Sequence, residues 1–291
     1  MANELAALSN ELAAAVQQAG SMVVAVHARP RFSSSGVFWR PGVIVTAQHT
    51  VRREEEITVT LPDGNNVAAT LAGTDAGTDI AVLKVDSAGR EPAAHSVPVP
   101  GNLALCIGRS EDSGVNATMG IISAVSGAWR TWRGGRLDHY IRLDLTLYPG
   151  SSGGAVIDTA GATIGIATSA LSRIAGVAIP AATIDRVVDE LLARGHVSRG
   201  YLGLGLQPVE LPDRHRGLIV LSVEPDGPSA KAGVLIGDIV MSLGATAAGD
   251  TDDVQIALEG IAVGKSVEAE VLRGGVSRKI AITVGERPRK G

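Results

Sequence analysis

This sequence predicts a mostly β protein of antiparallel barrels or sandwiches, divided into about two domains. Three observations carry that expectation. The chain has 291 residues, long enough to bury more than one core. Short β-branched apolar runs recur at intervals of about ten residues, with turns of Gly, Pro, Asn, Asp and Ser between them. Gly reaches 36 while Phe, Tyr and Trp number only 2, 3 and 3, so the cores must be assembled from Val, Ile, Leu and Ala. Apolar residues at 45% and charged residues at 19% fit an ordinary globular chain and argue against disorder.

Residues 1–20 are predicted to form a helix, because Leu5, Leu8, Leu12, Ala15 and Val16 recur at helical spacing with Glu and Gln between them. No cationic segment followed by an apolar stretch opens the chain, so as it stands it carries no export signal and reads as cytoplasmic. A periplasmic or other extracytoplasmic location follows if a signal was removed. The longest apolar stretches, such as residues 22–26 and 43–45, fall far below the ~18 residues of a spanning helix. The net charge of −4, with Lys and Arg scattered, indicates neither a nucleic-acid partner nor a polybasic membrane patch. Cys106 lies alone in an apolar run and reads as core filler. The six His lack ligand spacing, so no metal site and no cofactor is expected.

Residues 21–27 and 37–46 read as strands around the turn Ser33-Ser34-Ser35-Gly36, and the second delivers Ala47-Gln48-His49 to a strand end. Residues 57–61 alternate, Pro62-Asp63-Gly64-Asn65 turns the chain, and residues 67–71 return. Thr78-Asp79 stands directly ahead of the apolar strand 80–85, where a carboxylate is desolvated unless something donates to it. Further strands are predicted within 98–107 and at 120–125, 141–147, 155–157, 163–168 and 177–179. Over residues 183–193 the period becomes helical: Ile184, Val187, Val188, Leu191 and Leu192 share a face, with Gly195 as C-cap. This divides the chain into a helix at 1–20, a β-rich domain at 21–195, a linker at 196–199, a second domain at 200–287 and a polar tail at 288–291. The second domain has strands at 201–206, 217–223, 237–243, 266–272 and 279–284, with short helices at 228–233 and 250–258.

The chemistry gathers on Tyr148-Pro149-Gly150-Ser151-Ser152-Gly153-Gly154-Ala155-Val156, a Gly/Ser turn between apolar runs. Glycines let backbone N–H groups converge on one point and hold a serine hydroxyl clear of its neighbours. An acyl-transfer nucleophile with its oxyanion hole needs that geometry, and a plain hairpin turn looks the same. His49 taken alone reads equally as a polar loop residue, and Asp79 as a turn residue. Together, in the order His49, Asp79, Ser152 and each at a strand edge, they form a constellation that two barrels packed face to face would bring into one cleft.

Val45-Thr46-Ala47-Gln48-His49, Thr78-Asp79-Ile80-Ala81-Val82-Leu83-Lys84-Val85 and Pro149-Gly150-Ser151-Ser152-Gly153-Gly154 resemble the three catalytic motifs of the HtrA (Deg) serine proteases. Gly176-Val177-Ala178-Ile179-Pro180 is similar to that family's closing strand, and residues 201–284 to its PDZ domain. The resemblance implies two six-stranded antiparallel barrels of trypsin-like fold over 21–195, followed by an α+β PDZ domain. It implies an ATP-independent serine endopeptidase acting on unfolded or damaged polypeptides in protein quality control and stress response, assembled as a homotrimer. Carried over residue by residue, Ser152 is the nucleophile, His49 the base and Asp79 its orienting acid. The amides of Gly150 and Ser152 form the oxyanion hole, with Ser151 in the same turn. Thr146 is placed at the floor of the S1 pocket, with Leu147, Tyr148, Ile166, Ala167 and Thr168 as walls. The segment Ile166-Ala167-Thr168 also pairs with the substrate as an added strand. With no anionic floor, cleavage after small aliphatic residues is expected. Tyr201-Leu202-Gly203-Leu204 resembles the carboxylate-binding loop of the PDZ domain, with the groove between residues 204–206 and the helix 250–258; the same strand and helix also serve simply as core.

Two departures stand out. The family usually has Asn where this chain has Ser151, and the segment Ser169-Ala170-Leu171-Ser172-Arg173-Ile174-Ala175 is short for its loop. Activation is expected to be conformational, by ordering of the oxyanion turn. Trp129-Arg130-Thr131-Trp132-Arg133 reads as an exposed loop, either a regulatory or subunit contact or merely solvated. The competing reading is a peptide-binding, chaperone-like scaffold with a resting or inactive triad.

Overall fold

A computed structural model describes residues 2–87, 94–212, 214–259 and 261–286. The chain divides into two compact units, Met1–Val197 and Ser198–Gly291. The tail at 288–291 and the end of the second domain at 287 lie outside the described residues.

The first unit opens with helix α1 (Ala2–Gly20) and then forms two closed six-stranded antiparallel barrels. The first barrel comprises β1 (Val23–His27), β2 (Ser34–Arg40), β3 (Val43–Ala47), β4 (Ile57–Thr60), β5 (Asn66–Asp75) and β6 (Ile80–Val85), closed in the order β1-β2-β3-β6-β5-β4. The second is built from β7 (Leu103–Ser110), β8 (Gly114–Ser126), β11 (Tyr140–Asp144), β12 (Ala155–Ile157), β13 (Thr163–Thr168) and β14 (Gly176–Pro180). A small hairpin of β9 (Trp129–Arg130) and β10 (Arg136–Leu137) leaves it after β8.

Each barrel has its own interior, and a third apolar layer lies between them. Val24, Val26, Phe38, Ile44 and Leu83 fill the first barrel, and Cys106, Ile122, Ile141, Val156 and Ala178 the second. Val23, Val37, Val45, Ile80 and Val82 of the first barrel meet Leu105, Ile107, Ala155, Ile166 and Ile179 of the second in the shared layer. Strands such as β3 and β6 therefore bury both faces, which is why they read as continuous apolar runs and not as alternating ones. The Cys106 thiol is buried in that interior, and desolvation pushes it up to about 12, leaving it inert as a nucleophile.

Helix α2 (Ala181–Arg194) seals the shared layer with Ile184, Val187, Val188 and Leu191. Gly195 ends it in the left-handed region at φ 75°, its N–H donating to the Leu191 carbonyl.

The second unit carries a sheet in the order β16 (Leu204–Glu210), β17 (Arg216–Val223), β18 (Ile239–Leu243), β20 (Ser266–Arg273) and β21 (Val276–Thr283), with β19 (Thr246–Ala247) beside β18. β15 (Gly200–Tyr201) pairs with β22 (Gly285–Glu286). The short helix α3 (Pro228–Lys231) and α4 (Thr251–Glu259) complete it. Leu202, Leu218, Val220, Val254, Leu258 and Val271 are among its core residues.

Asp238, 1% exposed, is held by the Arg273 guanidinium through two bonds of 2.7 Å and by the Leu235 N–H at 2.9 Å. The hydrogen bond from Arg273 holds the Asp238 carboxyl below the usual carboxylate value. A depressed folded value means that this stabilisation is complete above the unfolded pKa of ~3.9 and is lost as pH falls through the folded value. Arg273→Met is therefore expected to weaken the second unit at neutral pH and to flatten its loss of stability under acid. Hydrogen exchange of the β18 and β20 amides measured against pH checks this.

Candidate active site

His49 sits in a single 3-10 turn, Gln48–Thr50, that follows β3 directly. Thr50 Oγ1 locks the turn by donating to the Ala47 carbonyl at 2.7 Å and is hydrogen-bonded with Ser34 Oγ at 3.0 Å. Asp79 precedes β6, the neighbour of β3, with φ 60°, an uncommon backbone state for a residue other than glycine. The turn that presents it is built by the buried Asp75, which accepts from the Gly77 N–H and from the N–H and hydroxyl of Thr78. Thr131 of the β9–β10 hairpin donates its hydroxyl to the Gly77 carbonyl at 2.7 Å, so a segment of the second barrel braces the turn carrying Asp79.

Asp79 is fully buried. Its carboxylate accepts the His49 backbone N–H at 2.8 Å, the His49 Nδ1 at 2.9 Å and the Thr168 hydroxyl at 2.5 Å. A carboxylate in this position fixes the proton on Nδ1 and leaves the Nε2 lone pair as the base, while the ring remains 22% exposed. Thr168, expected as a pocket wall, also holds the acid with its hydroxyl across the barrel boundary, and no local signal in β13 announces that.

The nucleophile turn begins as a type II turn. Pro149 and Gly150 occupy its central positions, Gly150 has φ 95°, and the Ser151 N–H closes it onto the Tyr148 carbonyl at 3.0 Å. Gly153 has φ 86°, and a Cβ there would lie 2.1 Å from the Ser35 carbonyl oxygen, so only glycine fits. Ser152 is 8% exposed, and its hydroxyl is hydrogen-bonded with Ser169 Oγ at 3.2 Å and not with His49. Among the described residues, the N–H groups of Gly150 and Ser152 have no acceptor.

Several expectations require correction. The Ser151 amide belongs to the turn and does not join those of Gly150 and Ser152. Thr146, expected at a pocket floor, is exposed and lies beyond the end of β11, while Leu145 and Leu147 pack against the second barrel's core. Ile166 and Ala167 cannot add a substrate strand, because both of their edges are taken. Ala167 exchanges bonds of 2.8 and 2.9 Å with Gly153 and Gly154 on one side, and β14 pairs on the other. The first open backbone lies beyond Thr168. Trp129 to Arg133 is not a free loop: Trp129 packs edge-on against Tyr140 at 4.9 Å and Thr131 is buried, leaving Trp132 exposed with Arg133 over its ring.

In the second unit, a groove of about 260 Å³ runs between Tyr201, Leu202, Gly203, Leu204 and Leu206 on one side and Thr251, Val254, Gln255 and Leu258 of α4 on the other. Gly203 has φ 73°, which turns the backbone ahead of β16.

A double barrel with a Ser/His/Asp set at its seam, followed by a separate sheet-and-helix unit with a groove, defines a trypsin-like peptidase joined to a PDZ domain. Residues 34–166 match the trypsin-like peptidase domain family, and residues 200–284 match the PDZ domain family. The chain is 31% identical to the serine endoprotease DegS of Escherichia coli K12, over 89% of this chain and 78% of that protein. It is 33% identical to a probable periplasmic serine endoprotease, DegP-like, of Brucella suis, over 90% of this chain and 54% of the relative. The chain thus spans about half the length of the DegP-like relatives it matches. Among solved structures it resembles the serine endoprotease of Yersinia pestis with TM-score 0.81 at 31% identity, covering 96% of this chain and 98% of that one. It also resembles the HtrA-type protease AlgW, solved with a decapeptide, with TM-score 0.82 at 28% identity, covering 96% and 99%. The chain belongs to the HtrA-type serine endoprotease family.

Thr168→Val removes the hydroxyl donor from a buried carboxylate, a hydrogen bond to charge of about 1.5–3 kcal/mol. Peptide hydrolysis is expected to fall by ~10-fold or more in kcat/KM, while Thr168→Ser, which keeps the donor, stays within about threefold. Steady-state kinetics on the purified variants check this.

Proposed function

We propose that the chain is an ATP-independent serine endopeptidase that cuts unfolded or damaged polypeptides, and that its PDZ groove takes peptide C-termini. The observation that carries this reading is the His49 ring clamped to the buried Asp79, one strand end away from a serine whose turn presents two amides without acceptors. Ser152 Oγ turns from Ser169 to His49 Nε2, gives up its proton and attacks the scissile carbonyl. The oxyanion is received by the N–H groups of Gly150 and Ser152, and His49 returns the proton to the leaving amine. Water then repeats the attack on the acyl-enzyme. Each step consumes only peptide and water, so no nucleotide is required.

Extended substrate pairs with the backbone that begins at Ser169 in place of 166–168, the Ala170 N–H being held by Thr168 Oγ1 at 3.0 Å, a geometry that folded chains do not offer. No carboxylate occurs within 145–148 or 166–171, and cleavage therefore follows small aliphatic residues. The amides of the Tyr201-Leu202-Gly203-Leu204 loop receive a terminal carboxylate, with side chains in the groove beside α4. The assembly is a homotrimer. No helix among the described residues is long and apolar enough to cross a membrane. The DegP-like relative of Brucella suis is named as a probable periplasmic protein, which gives no support to the cytoplasmic expectation, and the proposed site of action is extracytoplasmic.

A second reading, a peptide-binding scaffold with a resting triad, is favoured by one observation, the Ser152–Ser169 hydrogen bond. A fluorophosphonate probe separates the two. Labelling of Ser152 and casein digestion, both abolished in Ser152→Ala, are expected, with a native mass three times that of the chain. Labelling that stays absent even with substrate peptide or heat selects the scaffold. In a peptide-library digest, cuts after Ala and Val are expected, and a preference for Lys or Arg would sink the pocket assignment.

A further inference from the structure

Ser35 of β2 is completely buried, belongs to the first barrel, and uses every polar group it has at the nucleophile turn or its immediate support. Its hydroxyl donates to the Gly150 carbonyl at 2.7 Å and its N–H to the Ser152 carbonyl at 3.2 Å. The hydroxyl accepts the Arg109 N–H at 3.0 Å, and the Ser35 carbonyl accepts the Thr46 hydroxyl at 2.6 Å. Space for this is made by glycine: a Cβ on Gly108 would sit 3.0 Å from Ser35 Oγ, and one on Gly153 would overlap the Ser35 carbonyl.

The Gly150 carbonyl and the Ser151 N–H lie in one planar peptide. Ser35 holds the carbonyl end and the Tyr148 carbonyl holds the N–H end. A flip of the preceding peptide, from type II to type I turn, would take Gly150 from positive to negative φ and send its N–H to the other face. The Gly150–Ser151 peptide keeps its orientation through that flip, so what the bond from Ser35 fixes is the position of the Gly150 Cα from which the N–H extends. Ser152 is anchored likewise through its own carbonyl.

From this geometry we propose that Ser35 is a positioning residue for the oxyanion site: by holding the carbonyls of Gly150 and Ser152, it fixes the backbone positions from which the N–H groups of those two residues reach the substrate carbonyl. The assignment rests on the peptidase reading above. It couples a residue of the first barrel, outside the Ser/His/Asp set, to stabilisation of the tetrahedral intermediate.

The test is turnover per titrated active site on a peptide ester or amide, with sites counted from the acylation burst. Ser35→Ala is expected to lose about tenfold or more in kcat per titrated site, with KM within about twofold; removing an oxyanion donor outright costs ~10²–10³. Ser35→Cys keeps the volume with a weak donor and is expected to fall between wild type and Ser35→Ala, which serves if the alanine variant does not fold. A purely structural role would lower the number of titratable sites or the melting temperature while leaving kcat per site at the wild-type value, and that result, in either variant, overturns the proposal. A loss confined to KM overturns it too. If the peptidase reading itself is wrong, wild type shows no burst and matches Ser152→Ala, an outcome distinct from an active wild type that Ser35→Ala leaves undiminished.

Discussion

A carboxylate shut away from water is the constraint on which this site depends. Asp79 is fully buried, and an ionised group so placed must be met by donors or take up a proton. Its donors come from different parts of the fold: the backbone and ring of His49 after β3, and the hydroxyl of Thr168 at the end of β13. Satisfying one acid therefore requires the two barrels to be docked in one register. The same contacts leave the imidazole with its exposed nitrogen as the base.

The docking has its own cause. The apolar layer that Val23, Val45 and Ile80 share with Ile107, Ala155 and Ile166 is as dry as either barrel interior. Burial of several such side chains, at roughly 1.5–3 kcal/mol each, far exceeds what any single polar contact at the seam contributes. The polar groups at the seam then decide the details. Ser35 meets the nucleophile turn, Thr131 braces the turn before Asp79, and Gly153 lets the backbones approach where any side chain would collide.

The nucleophile is the least committed member of the set. His49 and Asp79 are joined by several hydrogen bonds, whereas Ser152 points its hydroxyl at Ser169. The turn around it is more rigid than its glycine content suggests, because Gly150, Ser151, Gly153 and Gly154 each exchange a hydrogen bond with a defined partner.

The sequence by itself determined the elements and the chemistry they carry. Apolar runs buried on both faces, the periodic change at α2, the Gly/Ser turn and the His49, Asp79, Ser152 order were all legible, because strand burial, helix amphipathicity and turn geometry are local properties of the chain. It did not reveal which edges of a strand are already taken. Ile166 and Ala167 look like a substrate strand until β12 and β14 occupy both sides. Thr168 and Ser35, two unremarkable hydroxyl residues, acquire their places only when strands far apart in sequence meet. Hydrogen bonds across that distance, 89 residues in one case and 115 in the other, depend on how the barrels dock, which is decided by tertiary packing and not by any local pattern.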